Sequence, residues 1–175
     1  MHGFRLDVSD VDRGVYEVVE LRVARHPSES LPYLVSRVLA YALELRPGLA
    51  FGRGVSSDEP ALSADDGTGQ LTLWVDIGAP SADRLHKATK LSPEVAVYSA
   101  RDLNALTAAL AGIHKAGTVR IVGLPDALIQ PLGAALDRRN DWTIVHTEGT
   151  VYVTVGRETF EGVLDHRRIG QASTS

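Results

Sequence analysis

Two hydrophobic periods alternate along this chain, and no fold built from a single kind of element accommodates both. Over residues 14–24 the side chains alternate: Val15, Glu17, Val19, Leu21 and Val23 fall on one face, Tyr16, Val18, Glu20 and Arg22 on the other. That is a strand period. From Leu31 the spacing lengthens to i, i+3, i+4, i+7 through Leu31, Leu34, Val35, Val38, Leu39, Ala42 and Leu43. This apolar stripe predicts an amphipathic helix that ends before Pro47-Gly48. Ser28 is its expected N-cap, with Glu29 in the first turn where a carboxylate suits the helix dipole. Pro32 is tolerated because it lies so close to that start. The period returns to two over Leu71–Ile77, where Leu71, Leu73, Val75 and Ile77 share one face and Thr72, Trp74 and Asp76 the other.

The same reasoning gives strands at 3–8, 49–55, 59–63, 95–99, 118–123, 141–146 and 150–156. Helices are expected near 82–91, 101–114 and 125–138. Asp65-Asp66-Gly67-Thr68-Gly69 has the composition of a hairpin connection. Nothing in the chain reads as a repeat or a linker. The expectation is one α/β (α+β) domain over residues 1–164, with a mixed β-sheet flanked by helices. The polar residues 165–175 are expected to form a flexible tail.

Composition excludes several function classes. There is no cysteine, so disulfides, thiolate catalysis and cysteine zinc sites are out. No apolar run reaches the ~18 residues of a membrane span. Met1-His2-Gly3-Phe4-Arg5 lacks the basic and then apolar order of a secretory leader, so a cytoplasmic location is expected. The net charge of −4 disfavours tight duplex binding, which draws its affinity from phosphate neutralisation. A nucleic-acid strand, an end, or another phosphodiester remains within reach of a local basic patch. The six histidines show no HxxxH or HExxH spacing. Phosphate-loop and nucleophile-elbow motifs are absent. Trp74 and Trp142 read as packing residues.

One stretch, Arg53 to Lys87, carries a specific chemistry. Asp76 interrupts an apolar strand, where carboxylates are depleted, just before Gly78 and Pro80 end it. Two readings stand level on spacing alone: a metal ligand held on a rigid strand, or a solvent-facing aspartate balanced by Arg84 or Lys87. Asp58-Glu59-Pro60 supplies a second carboxylate, and hard cations such as Mg²⁺ or Mn²⁺ take one or two carboxylates together with water and phosphate. Lys87 lies four residues after Asp83, the spacing of a surface helical pair. It also follows Arg84 along a helix face, where a cation could orient an attacking water. Glu29 could add a carboxylate or simply compensate its helix dipole. Arg25, Arg37 and Arg53 are candidate phosphate contacts.

With these residues in view, the chain resembles the YaeQ family of small bacterial proteins. The pieces that carry the resemblance are Ala24-Arg25-His26-Pro27-Ser28-Glu29, Arg37 with Leu39-Ala40, Arg53-Gly54 and Asp58-Glu59-Pro60. Leu73-Trp74-Val75-Asp76-Ile77-Gly78 with Pro80, then Arg84-x-x-Lys87-Ala88 and Glu94-Val95-Ala96, continue it. That family is similar in fold to PD-(D/E)XK nucleases in a rearranged form, with a proposed magnesium site. The resemblance implies Glu29, Asp58 and Asp76 as the acidic set, Lys87 as the displaced catalytic lysine, and Arg25, Arg53 and Arg84 as substrate contacts. Two departures stand out. Gly78 occupies the place of an in-line lysine, and Asp76 stands where the family often has Glu. The expected function is a divalent-metal-binding, nuclease-like protein acting on a phosphodiester. The alternative is a non-catalytic binding or regulatory module that keeps the cleft.

Overall fold

The computed structural model describes residues 1–52 and 58–169. Its secondary structure falls into two compact units, one made of Met1–Leu45 with Leu124–Leu164, the other of Arg46–Gly123 with Asp165–Ser175. Where one mixed sheet was expected, the strands form two. The reason is pairing across long sequence separations, which local periodicity does not encode.

In the first unit, β1 (His2–Asp10) and β2 (Val15–Val23) form an antiparallel hairpin in continuous register from His2↔Val23 to Asp10↔Val15. Helix α1 (Leu31–Leu43) follows. Its N-cap is Ser30, whose hydroxyl accepts the Tyr33 amide at 3.2 Å. This corrects the expected cap at Ser28 and puts Glu29 ahead of the helix rather than in its first turn. Ser28 instead bonds the His26 ring, Oγ to Nδ1 at 2.6 Å, an example of short polar side chains competing with the helix for local partners.

The second segment of this unit supplies a helix at Asp126–Ala135 and strands at Arg139–Thr147, Thr150–Val155 and Glu158–Val163. Counted in chain order these are α4, β8, β9 and β10. β8 lies parallel to β1, giving the order β10-β9-β8-β1-β2. One face of the sheet is apolar by alternation. Phe4, Leu6 and Val8 are buried with Trp142 and Ile144, and with Val151 and Val153. Phe4 meets Trp142 edge to face, centroids 5.2 Å apart, a geometry that adds about 0.5–1.5 kcal/mol to the burial itself. Helices α1 and α4 pack against each other, α1 against β1 and α4 against β10. Gly162 permits the α4 approach, since a Cβ there would collide with the Pro125 side chain.

The second unit contains β3 (Ala50–Phe51), β4 (Leu62–Asp65), β5 (Leu71–Ile77), α2 (Ala82–Leu91), β6 (Val95–Ser99), α3 (Leu103–Ala109), β7 (Val119–Gly123) and β11 (Asp165–Arg168). β4 and β5 form the expected hairpin around Asp66–Gln70. β5, β6 and β7 are parallel, joined through α2 and α3, in a sheet ordered β11-β7-β6-β5-β4-β3. A parallel strand needs a crossover, and helices supply it. Trp74, Val95, Val97, Val119 and Ile121 pack with Leu85 and Ala88 of α2 and with Leu103 and Leu106 of α3. All five residues of β6 are buried, as befits a central parallel strand. The segment expected as a loose tail begins with β11, which pairs antiparallel with β7 from Asp165↔Gly123 to Arg168↔Arg120. Among the described residues, no helix is long and apolar enough to cross a membrane.

Candidate functional site

The C-terminal end of β5 is where chemistry and architecture meet. Trp74 and Asp76 share the strand face that packs beneath α2, and Asp76 sits where the apolar core gives out. It is only 3 % exposed, which removes the solvent-facing reading of this residue. A carboxylate so placed must be matched by hydrogen-bond donors. Ser81 caps α2 through the Arg84 amide at 3.2 Å, and this fixed start aims Arg84 back at the strand. Its Nε donates to Asp76 Oδ2 at 2.8 Å and its Nη2 to Oδ1 at 3.0 Å. The fork is bidentate, the strongest common form of such a pair. Arg84 Nη2 also donates to the Glu59 carbonyl, and the guanidinium carbon lies 5.6 Å from the Trp74 ring centroid.

One turn further along α2, Lys87 Nζ contacts Asp58 Oδ1 at 3.3 Å, with both side chains largely in solvent. That is a different partner from Asp83, which helical spacing suggested. An exposed pair of this kind contributes little to stability. Gly78 closes the strand with φ +92°, and its amide donates to Tyr98 O at 2.8 Å. The positive φ suits glycine at this position. An L side chain at that position is strained however much room surrounds it.

The other predicted residues are distributed as follows. Glu29 belongs to the first unit, where Arg37 Nη2 reaches its Oε2 at 2.9 Å and its Oε1 at 3.1 Å. The His26 amide donates to Oε1 as well, at 3.2 Å. Arg37 is buried and also holds the Ala24 carbonyl at 2.9 Å. Arg25 is exposed and its Nε donates to the Glu29 carbonyl at 2.9 Å. Arg53 lies outside the described residues. The structure therefore joins Asp76 with Arg84 and Asp58 with Lys87 in one unit, and Glu29 with Arg37 in the other. Among the described residues, no group of three or more His, Asp or Glu side chains is placed to hold a metal ion. With both Asp76 oxygens on Arg84, the donor set as it stands does not fit Mg²⁺ or Mn²⁺.

Two polar centres escaped the sequence reading. In the first unit, His146 Nδ1 lies 2.9 Å from Asp10 Oδ1, and its Nε2 lies 3.3 Å from Asp12 Oδ2. Asp10 and His146 are register partners across β1 and β8. Asp12 also accepts the Glu148 and Gly149 amides at 2.8 and 2.9 Å, so the cluster ties two turns together. A signal did exist in the sequence: Asp10 continues the inward parity of Phe4, Leu6 and Val8, as His146 continues that of Trp142 and Ile144. In the second unit, Glu94 accepts from Arg46 Nη1 at 3.0 Å and from Arg120 Nη2 at 2.9 Å. Partial burial works against its charge, but the two guanidinium groups outweigh that and hold its carboxyl below the usual range.

Residues 1–163 match the sequence profile described as YaeQ protein. The chain belongs to the YaeQ family. A crystal structure of YaeQ protein from Pseudomonas syringae superposes with a TM-score of 0.85 at 31% identity, covering 98% of this chain and 96% of that one. The YaeQ protein from Xanthomonas axonopodis pv. citri gives 0.83 at 30% identity, covering 95% and 96%. Among curated sequences, YaeQ of Escherichia coli (strain K12) is 35% identical over 96 residues, 54% of this chain and 52% of that protein. In that alignment the chain spans about half the length of the curated relatives it matches.

Proposed function

We propose that this family member is a non-catalytic binding module with a PD-(D/E)XK nuclease-like core, taking a phosphodiester ligand such as single-stranded nucleic acid at the Lys87 end of α2. The observation that carries this reading is the bidentate Arg84–Asp76 pair. It occupies the carboxylate that hydrolysis would need for a cation. Lys87, its side chain 56% exposed and one turn beyond, can trade Asp58 for a phosphate oxygen at small cost, because an exposed pair is weak. Nuclease-like ancestry is supported by the placement of Asp76 at the end of a parallel-sheet strand, with the cationic helix directly after it.

Fluorescence anisotropy with labelled single-stranded DNA, RNA and duplex tests the proposal. Weak binding is expected, falling with salt and reduced several-fold in Lys87→Glu, each phosphate contact contributing a log–log slope of about −0.7 for a single strand. Binding indifferent to Lys87, or Mg²⁺-dependent cleavage lost in Asp76→Asn, would refute it.

A second reading, the metal-dependent nuclease, is favoured by one observation. Asp76 and Asp58 are each matched by a cation from the same helix, and a divalent ion could replace those charges. That requires Arg84 to leave Asp76. Calorimetric titration of Mg²⁺ and Mn²⁺ into the wild type and Asp76→Ala decides it, since this reading needs binding that the substitution abolishes.

A further inference from the structure

The outer strand of the first unit, β2, forms one edge of its five-stranded sheet. It is nine residues long and pairs with β1 without a bulge. Edge strands are commonly blunted by proline, a bulge, shortness or charged side chains; β2 has no proline and no bulge, and its charges, Glu17, Glu20 and Arg22, are of both signs. The sequence of the strand is complementary to itself. In an antiparallel pairing of two copies about a two-fold axis through Leu21, Leu21 faces Leu21, Glu20 faces Arg22, and Val19 faces Val23. Arg22 likewise faces Glu20, so the pairing carries two opposite-charge contacts related by symmetry. The pairing joins residues 19–23 of each copy, since Ala24 and the residues after it lie outside the strand.

The neighbouring registers lack this property. Centring on Glu20 sets Glu20 against itself, and centring on Arg22 sets Arg22 against itself. Centring on Val19 leaves Glu20 against Val18 and Arg22 against Tyr16. The Leu21 register also continues a pattern already in the sheet. Glu20 is the register partner of Arg5, and Arg5 of Asp141, with Arg5 Nη1 at 3.6 Å from Asp141 Oδ1. Adding Arg22 of a second copy extends this row as Asp141, Arg5, Glu20, Arg22, alternating in sign throughout. Opposite charges directly across strands are favourable and like charges are not.

We infer that β2 is an interaction surface for a second copy of this chain, forming a continuous ten-stranded sheet through the Leu21-centred register. The inference is independent of the phosphodiester reading.

The absence of cysteine makes the test clean. Opposed residues in an antiparallel pair have Cα atoms about 4.5–5.5 Å apart, within the range a disulfide spans. Leu21→Cys should therefore form a disulfide-linked dimer under mild oxidation, whereas Val19→Cys, standing opposite Val23, should not. Sedimentation velocity of the cysteine-free protein over a concentration series should show a monomer–dimer equilibrium. Glu20→Arg should weaken it about tenfold, since two attractive contacts become repulsive. An equimolar mixture of the Glu20→Arg and Arg22→Glu proteins should restore it as a heterodimer, because each variant's altered residue then faces an opposite charge on the other copy, which separates charge pairing from a folding defect. A protein that stays monomeric throughout would overturn the inference. So would cross-linking through Cys at 19 instead of 21, or a dimer unmoved by Glu20→Arg.

Discussion

Replacing Arg84 by alanine isolates the buried ion pair. The Asp76 side chain is 4% exposed and that of Arg84 24%, so the substitution leaves a carboxylate stranded in the interior. Breaking a fully buried pair from one side costs about 3–5 kcal/mol. Water reaches the arginine side, so discounting for that access gives roughly 2–3 kcal/mol here. The figure includes some lost contact between the guanidinium and Trp74. Asp76→Asn, which keeps the volume and removes the charge, should cost about 1–2 kcal/mol. The double variant should then fall short of the sum by about 1–2 kcal/mol, the coupling of residues in direct contact. Urea unfolding measures all three as shifts in midpoint at constant slope. A loss below ~0.5 kcal/mol for Arg84→Ala, or simple additivity, would refute the assignment of the pair as the lock between β5 and α2. The same variant separates the two functional readings. If Asp76 ligates a cation, Mg²⁺ at ~100 times its dissociation constant for Arg84→Ala should return about 2.7 kcal/mol to that variant and a smaller amount to the wild type, where the ion must first displace Arg84. Under the binding-module reading, Mg²⁺ returns nothing.

Three further outcomes follow from the polar centres and one turn. Asp12→Ala should speed hydrogen exchange at the Glu148 and Gly149 amides by roughly 5–30-fold, because each loses an acceptor worth about 1–2 kcal/mol. Glu94 has a folded-state pKa below its unfolded one. Its stabilising contribution is therefore present above the unfolded value near 4.3 and is lost as pH falls through the folded value. Glu94→Gln should flatten the acid limb of stability below about pH 4.3, as read by urea midpoints across pH. Gly48 has φ +81°, and a Cβ there would stand 2.9 Å from the Asp65 carbonyl oxygen. Gly48→Ala should cost about 1–3 kcal/mol in thermal unfolding.

Much of the second unit was legible from local pattern. β5, α2 and β6 fall at the expected residues, because strong alternation, a serine cap and Gly78 with Pro80 all act within a few positions. What escaped depends on partners far along the chain. β11, with the sequence Asp165-His166-Arg167-Arg168, carries no hydrophobic period and is a strand only because β7 offers its backbone edge. β10 contains Gly162, which weakens its pattern and yet is what α4 packs on. The helix cap was misplaced by two residues since Ser28 and Ser30 both qualify chemically, and the His26 ring claims the first. At the candidate site, the sequence singled out Asp76 and the helix that follows its strand, and the structure places Asp76 against Arg84 of that helix. The sequence left open whether Asp76 would be matched by a metal or by Arg84. Helix phase and capping decide that, through the direction in which Arg84 points.

The parallel pairing of β1 with β8 has a consequence for biosynthesis. Asp10 and His146 are register partners 136 positions apart. At ~5–20 residues per second, the ribosome takes roughly 7–27 s to deliver the second after the first. During that interval the β1–β2 hairpin lacks the strand that fills its inner side, and an isolated hairpin is marginal in water. The nascent β1–β2 hairpin therefore spends many seconds with unpaired strand edges on both sides. Slowing translation before residue 139, or withholding chaperones in a cell-free system, should trap this chain as aggregate more readily than unfolding and refolding the finished polypeptide does.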